Sequence, residues 1–226
     1  MGLARARVLG YTRRVRIDIF SDVICPWCFI GKRRLERALA ARPDLRVEVV
    51  WRAFQLNPDM PPAGIERQSY IIAKFGSAER AEHLYANIAE TGAEEGLAFE
   101  FDRIRRTPNT VNAHRLILFA GRNGRQDQVV ELLFRRYFQE GVDIGEVESL
   151  VAAAADAGLD ADETRAYLAS DRDVEAVRTE DLEARRLGVT GVPCFIAEGR
   201  YAISGAQTPE VFLRVFETAE RAAAAE

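Results

Sequence analysis

Two cysteines separated by two residues, Cys25 and Cys28, are the side chains of this chain best suited to chemistry. A close cysteine pair binds a metal, closes a structural disulfide, or cycles between thiol and disulfide. A zinc site needs four ligands, and the other candidates, Cys194, His83 and His114, are scattered single residues. We therefore expect no metal, and the choice between the other two chemistries depends on where the pair lies.

A predicted strand and helix surround the pair. Residues 15–20 alternate and are rich in β-branched side chains, which predicts a strand. Residues 26–41 carry apolar side chains at helical spacing, so Cys25 precedes a helix that has Pro26 at its first position. The N-terminus of a helix stabilises a thiolate, which is the nucleophile of disulfide exchange. A four-residue loop restrains an unfolded chain little, so the spacing suits reversible exchange better than a structural disulfide.

The rest of the chain predicts a second strand, a helical middle and a terminal hairpin. Since the second strand follows the first helix, the two strands are expected to be parallel. A proline-rich break precedes the middle, which is almost wholly helical. A last helix begins at Pro209, where Thr208 is a candidate cap. The predicted segments are a strand at 45–51, a break at 57–62, helices over 65–187, and strands at 193–197 and 200–204.

Five short motifs together resemble one known family. They are SDVICPWC at 21–28, WRAFQLNP at 51–58, PNT at 108–110 with AHRL at 113–116, GVP at 191–193 and SGAQ at 204–207. This combination resembles the DsbA family of thiol–disulfide oxidoreductases, and within it the FrnE-like branch. The resemblance implies an α/β fold in which a thioredoxin-like fold is interrupted by a large all-α insertion.

The resemblance also implies domain boundaries. The thioredoxin-like domain would comprise residues 15–62 and 188–226, and the inserted helical domain would comprise residues 63–187. Residues 1–14 would form a flexible N-terminal tail.

Site residues follow from the same resemblance. Cys25 would attack a disulfide and form the mixed disulfide, which Cys28 would resolve. Pro193 would be a cis proline that lies against the cysteine pair, a geometry that proline adopts more readily than other residues. Val192 would pair with an extended substrate through its backbone. The expected substrate contacts are Val192, His114, Gln207 and Asn57.

Pro26, Trp27 and Asp22 are expected to tune the pair. DsbA itself has a histidine between its cysteines and this chain has none, which predicts a pair less oxidising than DsbA's value of roughly −120 mV. Trp27 either covers the sulfur and contacts substrate or packs at the start of the helix. Asp22 either relays a proton or caps the helix, and capping is the simpler expectation. Lys32 is expected on a solvated helix face.

Two further residues have simple structural alternatives. His114 is either a substrate contact or a histidine packed between helices. Cys194 is either a small buried hydrophobic residue or a regulatory thiol near the site.

Composition limits the partners. The net charge of −4 does not favour a nucleic-acid binder, and no apolar run approaches the roughly 20 residues of a membrane span. The N-terminus lacks the apolar core of a signal peptide, from which we expect a cytoplasmic location. The expected partners are protein thiols and disulfides, with glutathione as a candidate electron partner and no resident cofactor. The chain would be a monomer or a homodimer.

Two other functions fit the same residues less well. Glutathione-dependent enzymes of the kappa transferase and hydroxychromene carboxylate isomerase type share the implied fold, but typically have a serine in place of a helix-opening cysteine pair. A non-enzymatic chaperone could bind peptides at the edge formed by Val192 and Pro193. Such a chaperone would keep its activity without Cys25 and Cys28.

Overall fold

A computed structural model describes residues 14–225 of the chain. The flexible tail predicted for residues 1–14 lies outside these residues except for its last position. The strands are β1 (Val15–Ser21), β2 (Val47–Ala53), β3 (Ile65–Glu66), β4 (Arg106–Thr107), β5 (Cys194–Ala197) and β6 (Tyr201–Ser204). The helices are α1 (Pro26–Ala40), α2 (Arg67–Phe75), α3 (Ala78–Glu94), α4 (Val111–Arg122), α5 (Gln126–Phe138), α6 (Val147–Asp156), α7 (Ala161–Ala169), α8 (Val174–Arg186) and α9 (Pro209–Ala225).

The main sheet determines where the cysteine pair lies. Within residues 14–225 it has four strands in the order β2-β1-β5-β6. β1 and β2 are parallel and α1 connects them, while β5 is antiparallel to both β1 and β6. Phe20 near the end of β1 lies opposite Cys194 at the start of β5. The loop that precedes β5 is therefore next to the turn that follows β1 and carries Cys25.

Alternation along the strands divides the apolar side chains between two clusters. Ile17 and Ile19 of β1 belong to the large core, together with Phe195 of β5. Phe20 and Cys194 belong to a smaller cluster that also contains Ala184 of α8. Since successive side chains of a strand point to opposite faces, the two clusters cover opposite faces of the sheet.

The middle of the chain is helical, as predicted, with one addition. Between residues 78 and 187 the predicted helical segment is confirmed as α3 to α8. β3 and β4 were not predicted; they pair antiparallel, with Ile65 opposite Thr107. Strands of two residues are too short for an alternating pattern, so only the pairing of distant segments reveals them.

Aromatic rings join α1 to the inserted helices. Phe29 of α1 stacks on Phe134 of α5, with the ring centroids 5.0 Å apart. Trp51 of β2 meets the same Phe134 ring edge to face, with the centroids 6.3 Å apart. The insertion is thus packed directly on the helix that carries the cysteine pair.

Lys32 strengthens the same interface, and the prediction of a solvated position for it is wrong. Its side chain is only 3% exposed. Its ammonium group lies 3.3 Å from Asp127 and 3.1 Å from Glu131, both on α5, and it also pairs with Glu36 on its own helix. Burial lowers the pKa of Lys32, but the three carboxylates outweigh it and the net shift is upward. The charge of Lys32 therefore serves the contact between helices.

We expect Phe134→Ala to lower the free energy of unfolding by about 3–5 kcal/mol, because it leaves a cavity between fully buried rings. Denaturant unfolding followed by circular dichroism measures this loss. Arg135→Ala, an exposed neighbour on the same helix, is the matched control and should change stability by less than about 0.5 kcal/mol. Equal effects of the two substitutions would contradict the proposed role of the ring.

Candidate active site

Cys25 lies at the start of α1. It is the N-cap residue, with an extended backbone, and Pro26 follows at the first helical position. The first turn of the helix, residues 26–29, contains no acidic side chain. Cys25 thus lies at the end of α1 where the helix dipole favours negative charge.

Cys28 lies one turn further along the helix and is fully buried. Burial raises the pKa of its thiol well above the ordinary value, and contact with Cys25 raises it further. The Ser21 side chain and the Asp22 backbone oppose this shift without cancelling it. Cys28 therefore keeps its proton at neutral pH, as suits the partner of a nucleophile.

The loop before β5 meets the Cys25 sulfur. The Val192–Pro193 peptide bond is cis. The Cys25 thiol donates to the carbonyl oxygen of Val192, with a sulfur to oxygen distance of 3.5 Å. Both cysteines are free thiols in the structure. The start of α1 and the loop that contains Pro193 thus form one site, although they are far apart in the sequence.

Gly31 allows this close approach, although the motifs did not single it out. A Cβ atom placed on Gly31 would lie 3.0 Å from Pro193 Cγ and 3.0 Å from Phe195 Cζ. Real Cβ atoms rarely have contacts this short, so a larger residue would require these two side chains to shift by a few tenths of an ångström. A glycine in the interior of a helix lowers helix stability. Its presence at position 31 is therefore the sequence signal that could have indicated a close contact here.

Asp22 does not cap α1, so that expectation is wrong: no side chain caps this helix. The Asp22 side chain is fully buried, and its Oδ2 accepts a hydrogen bond of 2.8 Å from the backbone N–H of Leu56. Its Oδ1 lies 3.4 Å from Nε2 of His114. Within residues 14–225, neither of these two facing atoms has a hydrogen-bond partner. A buried carboxyl group and a buried imidazole thus face each other beside the cysteine turn.

The sequence of the chain matches the profile of the DSBA-like thioredoxin domain over residues 16–217. The chain belongs to this family. It is 38% identical to a probable DsbA oxidoreductase from Streptomyces coelicolor, whose structure superposes with a TM-score of 0.83 over 91% of this chain and 89% of that one. It is 29% identical to the uncharacterized protein YwbO of Bacillus subtilis (strain 168), over 88% of this chain and 94% of YwbO.

A more distant likeness concerns the fold alone. The structure of a 2-hydroxychromene-2-carboxylate isomerase is 15% identical to this DsbA-like chain, with a TM-score of 0.66 over 92% of this chain and 96% of that one. The likeness is consistent with one architecture carrying different chemistries.

Trp27 and His114 differ in their access to solvent. Trp27 is 38% exposed, so its ring forms part of the surface of this DsbA-like domain beside Cys25. His114 is 2% exposed and contacts Asp22. The expected substrate contact at His114 stays a prediction, whereas the structure shows the side chain buried on α4 and facing the turn that carries Asp22.

Asn57 and Gln207 lie on two loops near the ends of the sheet. The half-buried Asn57 accepts a hydrogen bond of 3.2 Å from the hydroxyl of Tyr70. The exposed Gln207 donates to the carbonyl of Ser204 at 2.9 Å. Their roles in substrate binding stay predictions.

The loop that carries Asn57 is held by α8, which the sequence did not indicate. The backbone N–H of Gln55 donates to Asp181 at 2.8 Å, and the Arg185 guanidinium donates to the Gln55 carbonyl at 2.7 Å. These bonds fix the segment that also binds Asp22 through Leu56. No local pattern links positions so far apart in the chain.

Cys194 lies on the other face of the sheet from α1. It packs against Phe20, Phe54 and Ala184, and burial raises the pKa of its thiol. It is therefore a buried apolar residue in this structure and takes no part in the pair.

Two further observations concern the whole described part of the chain. Among residues 14–225, no group of three or more histidine, cysteine, aspartate or glutamate side chains could hold a metal ion. In the same range, no helix combines the length and the apolar character that crossing a membrane requires.

We expect a short pulse of iodoacetamide at neutral pH to alkylate Cys25 of the reduced protein before Cys28 and Cys194. The pKa values of Cys28 and Cys194 are raised, so these two cysteines stay protonated and react only as the pH rises or the protein unfolds. Peptide mass spectrometry measures the order of labelling. The denatured protein is the control, in which all three cysteines should react alike. Labelling of Cys28 first would contradict the assignment of Cys25 as nucleophile.

Proposed function

We propose that this protein is a thiol–disulfide oxidoreductase that exchanges dithiol and disulfide with protein or small-thiol substrates through Cys25 and Cys28. The observation that carries the proposal is the contact between the Cys25 sulfur and the Val192 carbonyl at the cis proline. It combines a nucleophile at a helix N-terminus with a backbone segment suited to pair with an extended substrate. Membership of the DSBA-like thioredoxin domain family supports the same chemistry.

The reaction needs two exchanges. In the reducing direction, the Cys25 thiolate attacks one sulfur of a substrate disulfide, forms a mixed disulfide and releases the other sulfur as a thiolate. Cys28 then loses its proton and attacks the Cys25 sulfur, which releases the reduced substrate and leaves a Cys25–Cys28 disulfide. The reverse sequence oxidises a dithiol. The direction depends on the reduction potentials of the pair and of its partner.

Asp22 and His114 are suited to handle the proton of Cys28. Because its pKa is raised, Cys28 stays protonated until the second exchange. At that step a base must accept the proton. The Asp22 backbone contacts Cys28, and the side chain of the same residue faces the imidazole of His114. We therefore assign the carboxyl and imidazole groups as the proton acceptor for this step.

The substrate surface is proposed on the same geometry. The backbone at Val192 would pair with an extended segment of the substrate, and the exposed Trp27 ring would supply an apolar contact next to the sulfur. Asn57 and Gln207 would border this surface. Glutathione is the proposed small-thiol electron partner. We assign the protein to the FrnE-like branch on the five sequence motifs.

The main alternative on the same fold is a glutathione-dependent isomerase. The 2-hydroxychromene-2-carboxylate isomerase shares the architecture, but a typical enzyme of that kind has a serine where this chain has the first cysteine of a pair. A second sulfur at Cys28, fully buried and kept protonated, has no use in that chemistry. A second cysteine is required for thiol–disulfide exchange, so we prefer the oxidoreductase function to the isomerase function.

We expect a titration in glutathione redox buffers to give a reversible two-electron transition of the pair between roughly −120 and −270 mV. Thiol trapping measures the oxidised fraction, and Cys194→Ala serves as background so that only the pair is counted. A pair that resists reduction below roughly −300 mV would be a structural disulfide, and the proposed function would fall.

We expect Cys28→Ser to accumulate a mixed disulfide between Cys25 and a protein substrate, because the first exchange proceeds and the second cannot. Cys25→Ser should accumulate none. Gel electrophoresis with and without reductant detects the trapped species, with Cys194→Ser as the matched control that should behave as the unchanged protein. Retention of peptide binding but no trapped species in Cys28→Ser would favour the chaperone alternative.

We expect Asp22→Asn to slow the second exchange about 100-fold at neutral pH, since the amide cannot accept the proton but still accepts the Leu56 hydrogen bond. Stopped-flow measurement of mixed-disulfide decay gives this rate. The deficit should shrink as the pH rises, because hydroxide then removes the proton from Cys28. A deficit that is equal at every pH would show that Asp22 only positions the turn.

A further inference from the structure

A cavity of about 620 Å³ lies in the insertion, and none of its lining residues belongs to the surface proposed for protein substrates. Its walls come from α2 and α3 and from the segment 99–105 that leads into β4. The volume is within the usual range for sites that bind small molecules. None of the residues that line it belongs to the motifs on which the family resemblance rests.

A buried arginine that has no counter-ion among residues 14–225 lies in the wall of this cavity. Arg67 is 7% exposed. Its guanidinium donates to the Thr107 hydroxyl at 3.1 Å and to the Tyr85 hydroxyl at 2.8 Å, and its Nε has no partner within residues 14–225. No carboxylate of the described residues forms an ion pair with it, although most buried charges in proteins are paired.

The aromatic neighbours of Arg67 compensate its charge only in part. Its guanidinium carbon lies 5.0 Å from the centre of the Tyr85 ring and 5.9 Å from that of Tyr70. Such contacts stabilise a cation less than a carboxylate that binds two N–H groups of a guanidinium. A buried arginine next to an open cavity is therefore prepared for an anion that comes from outside the chain.

The other walls indicate the shape and the charge of that anion. Ile71, Ala81, Phe99 and Phe101 supply apolar surface, which suits an apolar body. Glu66, Glu82 and Asp102 also line the cavity, and their side chains are exposed. These three carboxylates would repel a ligand with several negative charges more strongly than a ligand with a single carboxylate.

Tyr70 links the surroundings of Arg67 to the loop after β2. The Arg67 guanidinium carbon lies 5.9 Å from the centre of the Tyr70 ring, and the Tyr70 hydroxyl donates to Asn57 at 3.2 Å. Burial raises the pKa of Tyr85 and Arg67 opposes that rise, with a net upward shift. The Tyr85 phenol therefore keeps its proton at neutral pH and can donate it in a hydrogen bond to an anion.

We infer that this cavity binds a small organic monocarboxylate with an apolar body, whose carboxylate pairs with Arg67 and Tyr85. The inference goes beyond the proposed exchange reaction. Binding of such an anion needs neither cysteine and involves no redox step, so it can fail or hold independently of that reaction.

Isothermal titration calorimetry of the full chain with naphthaleneacetate tests the inference, and the neutral amide naphthaleneacetamide is the matched ligand. We expect the acid to bind at least about 10-fold more tightly than the amide, because only the acid forms a charge-assisted pair. Arg67→Gln should weaken the acid about 10- to 100-fold and leave the amide nearly unchanged. Arg105→Gln, which removes an exposed guanidinium from the same cavity, should change either affinity less than about 3-fold.

Ala89→Phe is the second variant, in case Arg67→Gln fails to fold. It fills the cavity from α3 and leaves every hydrogen bond of Arg67 in place, and it should abolish binding of the acid. Three results would each overturn the inference. The first is equal affinity for the acid and the amide, and the second is binding of the acid that survives Ala89→Phe. The third is a Kd of the unchanged protein for the acid that is weaker than about 1 mM. Cys25→Ser should bind the acid as the unchanged protein does.

Discussion

The contact between the N-terminus of α1 and the loop before β5 is the constraint on which the rest of this site depends. It brings the Cys25 sulfur to the carbonyl of Val192. It is possible because β1 pairs with β5 in a register that places Phe20 opposite Cys194, and because Gly31 leaves room for Pro193. A larger residue at position 31 would require the Pro193 and Phe195 side chains to shift.

The insertion is part of the site as well as of the fold. Phe134 stacks on Phe29, and carboxylates of α5 neutralise Lys32, so the inserted helices hold α1 from the side opposite to its solvent-exposed residues. The same insertion contributes His114, which faces Asp22, and Tyr70, whose hydroxyl donates to Asn57 on the loop after β2. The thioredoxin-like part supplies the sulfurs, whereas the insertion supplies their polar surroundings.

Two buried cations, Lys32 of α1 and Arg67 of the insertion, have different surroundings. Lys32 is surrounded by three carboxylates, so removing water from its ammonium group is offset by ion pairs. Arg67 is equally deep but has only hydroxyl and ring partners among the described residues. This contrast indicates that Lys32 serves the packing of helices, while Arg67 is available to a ligand.

The sequence by itself determined the place of the cysteine pair at a helix start, the parallel strands around it, and the helices from α3 to α8. These features depend on the periodicity and spacing of residue types within short segments, and both can be recognised in the sequence alone. The short β3–β4 pair, the burial of Lys32, the partner of Asp22 and the unpaired Arg67 were decided only by the tertiary structure. Each joins residues that are distant in the chain, and their energies depend on burial and on the arrangement of opposite charges, which no local pattern records.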